Sequence, residues 1–284
     1  MTLLEGARVA LLEARLASEM AELVRREGGE PVCAPAVYEA RVDATGLIPA
    51  LIDDIRDSRI AIVICLTGAG LTSLFTQANE IGSLASLVSA LSVVTTVCRG
   101  PKPSAVLRRH AVRVRVGVQS PHTTDELLAA LATVPIHGQR VVVVCDGGRN
   151  TPLVNALALR GAEVQEIHAY EWQLPADVVP LEQLVHSLLD DRIDAVAFTT
   201  QVQVRHLFAV ADRLNLHEPL RYALSHRTVV GSIGPSCSAV LEEFGVVPHV
   251  VALPPRMRPL ITALGAALGA RLSAPQHTPG ASAT

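Results

Sequence analysis

Six short segments of this chain combine residue types that hold anions. They are Glu13-Ala14-Arg15, Thr67-Gly68-Ala69-Gly70, Arg99-Gly100-Pro101-Lys102, Asp146-Gly147-Gly148-Arg149, Thr199-Thr200-Gln201 and Gly234-Pro235-Ser236-Cys237. Each follows an aliphatic run and precedes an amphipathic stretch, so each is expected to turn a strand into a helix. A helix start leaves backbone N–H groups without intrahelical partners and carries the positive end of the dipole. One such terminus contributes only about 0.3–1 kcal/mol. Several facing one cleft could hold a polyanion. The candidate binding residues are Arg15, Thr67, Gly68, Arg99, Lys102, Arg149, Thr199, Thr200, Ser236 and Cys237.

Other chemistries lack their residues. Gly147-Gly148 fits neither GxGxxG nor GxxxxGK[ST], the two common phosphate-loop patterns. There is no GxSxG elbow, and no histidine is placed beside Ser236 or Cys237. No acid/base pair can be located by spacing. The ten histidines form no HxxxH or HExxH pair and the five cysteines no CxxC, so no metal site is expected.

The elements that must carry these turns read as α/β. The chain has 284 residues, 49% hydrophobic and only 3% aromatic. That length points to two lobes with aliphatic cores. Strand runs such as Val141 to Cys145 lack polar alternation, as expected of parallel strands covered on both faces. The net charge is −3 and Lys102 is the only lysine, so a nucleic-acid partner is not expected. Glu5 and Arg8 interrupt any signal-peptide core, and no apolar run approaches the roughly 20 residues that span a bilayer. Gly82 to Val97 is apolar but rich in hydroxyl residues. The expectation is a cytoplasmic protein whose cysteines are core hydrophobes. The segment 273–284 (SAPQHTPGASAT) reads as a disordered tail.

The chain also repeats itself. Gly6-Ala-Arg-Val-Ala-Leu-Leu matches Gly138-Gln-Arg-Val-Val-Val-Val. Tyr38-Glu39 matches Tyr170-Glu171, and Asp57-Ser-Arg59-Ile matches Asp190-Asp-Arg192-Ile. Gly100-Pro101 matches Gly234-Pro235. The nearly constant offset describes a duplicated unit of about 133 residues.

In order and spacing these blocks resemble the uroporphyrinogen-III synthase family over about residues 6–270. The carriers are Arg15, Gly100-Pro101-Lys102, the segment Leu157 to Val164, Tyr170, Phe198-Thr199-Thr200 and Ile233-Gly234-Pro235. The resemblance implies two flavodoxin-like lobes with parallel sheets, joined by a two-stranded linker. Lobe one would be 1–37 plus 173–272, lobe two 43–168, and the linkers 38–42 and 169–172. It also implies the activity: cyclisation of the linear tetrapyrrole hydroxymethylbilane to uroporphyrinogen III, with inversion of ring D and loss of water. Eight substrate carboxylates would suit a cleft lined by helix starts and arginines. The bilane also closes spontaneously to the wrong isomer, so catalysis would rest mainly on orientation. Tyr170 would be the catalytic residue, its phenol hydrogen-bonding the leaving hydroxyl. Mobile linkers would let the lobes close. No cofactor is implied. The expected partners are the bilane and, as a candidate, the enzyme that forms it; a monomer is expected. The family's Thr-Arg-Pro turn is replaced by Glu13-Ala14-Arg15, and its Gly-Pro-x-Thr by Gly234-Pro235-Ser236-Cys237. The divergent turns keep a second reading in view, a non-catalytic tetrapyrrole-binding or regulatory protein on the same scaffold. Some divergent relatives carry a C-terminal DNA-binding domain; none is expected here.

Overall fold

The computed structural model describes residues 3–273. Of the proposed tail, Ser273 ends the last helix, Met257–Ser273, and 274–284 lie outside the described residues. The chain divides into two compact units. One holds the residues up to Tyr38 and those from Leu174 onward; the other is Glu39–Gln173.

Twelve strands are described: β1 (Arg8–Leu11), β2 (Glu30–Cys33), β3 (Tyr38–Arg41), β4 (Ile60–Cys65), β5 (Thr95–Cys98), β6 (Val116–Gly117), β7 (Arg140–Val144), β8 (Glu163–Ile167), β9 (Tyr170–Gln173), β10 (Ala195–Phe198), β11 (Val229–Ile233) and β12 (Val250–Ala252). Two five-stranded sheets result, ordered β12-β11-β10-β1-β2 and β6-β5-β4-β7-β8, with β3 and β9 forming a separate pair. Both large sheets are parallel, with Val9 opposite Ala195 in one and Ile64 opposite Val143 in the other. Advancing every strand number by six converts one sheet into the other. Each sheet therefore takes two strands from one copy of the repeat and three from the other. Numbered along the chain, the first sheet has the order 2-1-3-4-5, the flavodoxin-like arrangement, and the second has 3-2-1-4-5, the same arrangement circularly permuted.

The sequence explains the strands directly. Val141 to Val144 are all fully buried. Val142 and Val144 pack on one face with Leu71 and Leu74; Val141 and Val143 pack on the other with Leu153 and Leu157. Neither face of such a strand can afford a polar side chain. The apolar stretch 82–97 resolves into a helix, Leu84–Val93, followed by β5. Among the described residues, no helix is long and apolar enough to cross a membrane.

Aliphatic packing is supplemented by an aromatic stack, Phe208 on Phe244, with centroids 4.3 Å apart. Phe208 is fully buried. Phe208→Ala is expected to destabilise its unit by about 3–5 kcal/mol, read as a lower urea midpoint at unchanged slope.

Candidate functional site

In this topology ligands bind beyond the carboxyl ends of the strands, at the point where strand order reverses. That point lies between β1 and β10 in one unit and between β7 and β4 in the other. The two are described in turn.

In the Glu39–Gln173 unit, β4 ends at Cys65 and Thr67 caps the helix Gly68–Glu80, its hydroxyl accepting the Gly70 N–H at 3.1 Å. The same hydroxyl lies 3.2 Å from the Tyr170 phenol. Tyr170 is 2% exposed and meets the Trp172 ring edge-on, with centroids 5.3 Å apart. Trp172 is fixed in turn, its indole N–H donating to the Asp146 carbonyl at 3.1 Å. Two glycines make room for these rings. A Cβ on Gly70 would lie 2.5 Å from the Cys145 carbonyl, and one on Gly147 would lie 2.5 Å from the Trp172 ring. Gly147 also has φ +87°, which strains other residues. Burial, with Asp146 and Glu39 adding to it, pushes the Tyr170 phenol up to about 12, against the opposing Thr67 bond and Arg99 charge. At neutral pH this phenol is a proton-bearing donor.

Arg99 sits at the end of β5 and pairs with Asp146 at 2.9 Å, both side chains about four-fifths covered. An anion reaching Arg99 must compete with that carboxylate. Lys102 is exposed in the first turn of the helix Pro101–Arg109, and its backbone carbonyl would be 3.3 Å from a Cβ on Gly68. Gly68 thus lets two helix starts approach. Arg149 is exposed and pairs with Glu166 at 3.2 Å.

In the other unit, Glu13 follows β1, and its Oε2 accepts the Thr199 hydroxyl at 2.6 Å. Gln203, fully buried, donates to the Thr199 hydroxyl at 2.8 Å and accepts the Thr199 N–H at 2.7 Å. Thr200 caps the helix Gln201–Arg213 and shares a reciprocal capping box with Gln203. Glu13 is therefore committed to the protein's own loop. Arg15 is exposed beside it.

Ser236 and Cys237, expected in a turn, lie instead in the first turn of the helix Gly234–Glu243. Ser236 is exposed. Cys237 points into the core, its Sγ 3.9 Å from the Phe198 carbonyl, and burial raises its thiol to about 12. At Cys237 only the backbone is offered to the helix end.

The structure thus joins Thr67, Tyr170, Asp146 and Arg99 in one network and Glu13, Thr199, Thr200 and Gln203 in another. Asp146, Trp172 and Gln203 were not singled out from sequence. The Thr-x-x-Gln spacing at Thr200 was a usable signal for Gln203.

Gln77 had no such signal. Its buried amide accepts the Ala44 N–H at 2.7 Å and donates to the carbonyls of Val42 at 2.9 Å and Ala169 at 3.1 Å. Ser73 donates to the same Ala169 carbonyl at 2.8 Å. Gln77→Leu leaves the Ala44 N–H and the Val42 carbonyl unpaired, while the Ala169 carbonyl keeps Ser73 and the Val42 N–H. The expected loss is roughly 1–3 kcal/mol for each unsatisfied group, with faster amide exchange at Ala44 as the local readout.

Comparison with known proteins places this geometry in a family. Residues 18–262 match the family model of uroporphyrinogen-III synthase HemD. A protein of Methanothermobacter thermautotrophicus named "Putative uroporphyrinogen-III synthase" is 30% identical over 258 residues, spanning 89% of this chain and 94% of the relative. The uncharacterised protein YjjA of Bacillus subtilis is 28% identical over 244 residues, 85% of this chain and 88% of its own. Among solved structures, a mutant uroporphyrinogen III synthase from Thermus thermophilus superposes with a TM-score of 0.74 at 23% identity, covering 93% of this chain and all of that one. The family match spans most of the chain, β2 through β12, and the chain belongs to the uroporphyrinogen-III synthase family.

Proposed function

We propose that this chain is a uroporphyrinogen-III synthase, closing hydroxymethylbilane to uroporphyrinogen III with inversion of ring D and loss of water. The observation that carries the reading is the family match over residues 18–262, with a proton-bearing phenol at Tyr170 bonded to Thr67.

On this reading Tyr170 is the catalytic residue. Its O–H exchanges the Thr67 partner for the hydroxyl on the terminal ring and stabilises that group as it leaves. The hydroxyl departs as water, taking a proton by way of the phenol, and leaves a resonance-stabilised azafulvene cation; ring closure through the inverted ring then releases the proton of the attacking pyrrole carbon, which restores the balance. The low-dielectric setting of Tyr170 strengthens such a hydrogen bond. Substrate carboxylates are taken up by helix starts at Thr67-Gly68, Thr199-Thr200 and Ser236-Cys237, and by Arg15, Arg99, Lys102 and Arg149. Arg99 binds a carboxylate by exchanging it against Asp146. The chemistry calls for no cofactor, since the leaving group and the nucleophile both belong to the bilane. The proposed setting is a cytoplasmic monomer supplied by the bilane-forming enzyme.

The Arg99–Asp146 pair and the carboxylate of Glu13 favour one other reading. Asp146 occupies the Arg99 guanidinium, and Glu13 sets a carboxylate at a turn that an octacarboxylate would meet. A tetrapyrrole-binding protein without turnover would tolerate that better than an enzyme that must gather the whole chain.

A coupled assay separates the two. Hydroxymethylbilane is generated in situ, the protein is added, and the oxidised products are resolved into type I and type III isomers. The enzyme gives dominant type III; type I alone, with binding seen by calorimetry, supports the second reading. Tyr170→Phe is expected to lower turnover by roughly 10²-fold while altering stability by only about 1 kcal/mol. Unchanged turnover would make Tyr170 a packing residue. Arg15→Ala is expected to raise KM several-fold at low salt and less at high salt, measured in the same assay.

A further inference from the structure

Next to the Tyr170 network, three side chains of different chemistry converge at the ends of β7 and β8. They are Cys145, Glu166 and His168, whose donor atoms all lie within 4.8 Å of one another. Val144 is opposite Ile167 in the register of β7 and β8. Cys145 follows the first, and Glu166 and His168 flank the second, so all three project from the same face. The Cys145 Sγ is 3.7 Å from Oε1 of Glu166, and the His168 Nε2 is 4.0 Å from that same oxygen. The other oxygen, Oε2, is held 3.2 Å from the Arg149 guanidinium.

This is a triangle of thiol, carboxylate and imidazole with its carboxylate already oriented. A tetrahedral zinc ion, with bonds of about 2.0–2.3 Å, sets such donors about 3.3–3.7 Å apart. Small side-chain adjustments close the difference. A hydrogen-bonded partner on the outer oxygen is the usual support of a ligating carboxylate, and Arg149 supplies it without occupying Oε1. Mixed sulfur, nitrogen and oxygen donors suit a borderline ion and disfavour magnesium or calcium.

We infer that Cys145, Glu166 and His168 form a binding site for a divalent ion of the zinc class, with Arg149 as the residue that positions Glu166. The ion bonds to Sγ, Oε1 and Nε2, and the thiol proton passes to solvent. Three protein ligands leave a fourth position for water or an exogenous anion. The proposed cyclisation itself uses no metal; Arg149 is shared with the proposed carboxylate contacts, so the test reads metal binding and not turnover.

The test uses the full chain carrying Cys33→Ser, because Cys33 is exposed and would offer a competing thiol. Metal is stripped with a chelator and Co2+ is titrated in, followed by optical absorption. One equivalent is expected to bind with intense tetrahedral d–d bands and a thiolate-to-cobalt charge-transfer band, both lost on adding Zn2+. Cys145→Ser should abolish the charge-transfer band. His168→Ala and Arg149→Ala, at partly or largely exposed positions, keep the fold and should each weaken binding by at least about tenfold. No saturable binding, a weak octahedral spectrum, or His168→Ala binding as tightly as its parent would overturn the site.

Discussion

The backbone carbonyl of Ala169 is where the chain's unusual path is held. The crossing segments β3 and β9 have only each other as strand neighbours, and the polar groups that this pairing leaves over must still be paired. Gln77 and Ser73, both on the helix Gly68–Glu80, supply the partners for Ala169, and Gln77 does the same for Val42 and Ala44. Tyr170 is the next residue along. Its ring position, its contact with Thr67 and its place beside Gly70 all follow from a carbonyl fixed one residue earlier. The helix that holds the crossing segment is also the helix that Thr67 caps, so support and candidate chemistry share one rigid element.

The two units solve the same local problem with different residues. Each has a carboxylate two positions beyond the strand that opens its sheet half: Glu13 after β1 and Asp146 after β7. Glu13 reaches the adjacent strand end and takes the Thr199 hydroxyl; Asp146 reaches further and takes the Arg99 guanidinium. The unfamiliar Glu13 is thus a member of a duplicated pattern rather than an isolated intrusion. Its charge is engaged by Thr199 and by the Leu16 N–H. A hydrogen-bonded acid at this position braces the loop that follows.

Much of the fold could be read from sequence because it rests on short-range rules. Unbroken runs such as Val141 to Cys145 mean strands covered on both faces, and Thr67 and Thr200 mark helix starts. The repeat offsets reappear as the six-strand shift that relates the sheets. The site was less legible. Tyr170 came from family resemblance, since no spacing rule distinguishes a buried donor phenol from a packed one. The pairing of Arg99 with Asp146 joins turns from different strands and leaves no periodic trace. The cluster at Cys145 escaped for the same reason. Motif searches look for ligands close in sequence, whereas Cys145 and Glu166 stand 21 residues apart on neighbouring strands.

The strand exchange between repeats also orders events at the ribosome. The Glu39–Gln173 unit is one continuous stretch and can close its sheet as soon as it emerges. Strands β1 and β2 cannot. The second neighbour of β1 is β10, which is made only after the whole Glu39–Gln173 unit, and the Arg8 backbone must wait for Asp194, 186 residues later. Until then the nascent chain carries β1, a strand whose Val9, Ala10 and Leu11 are buried in the finished sheet, with one edge open, the kind of surface that recruits chaperones or neighbouring chains. The middle of the gene product is thus a template finished early, and its beginning is an unpaid debt held open until its end is made.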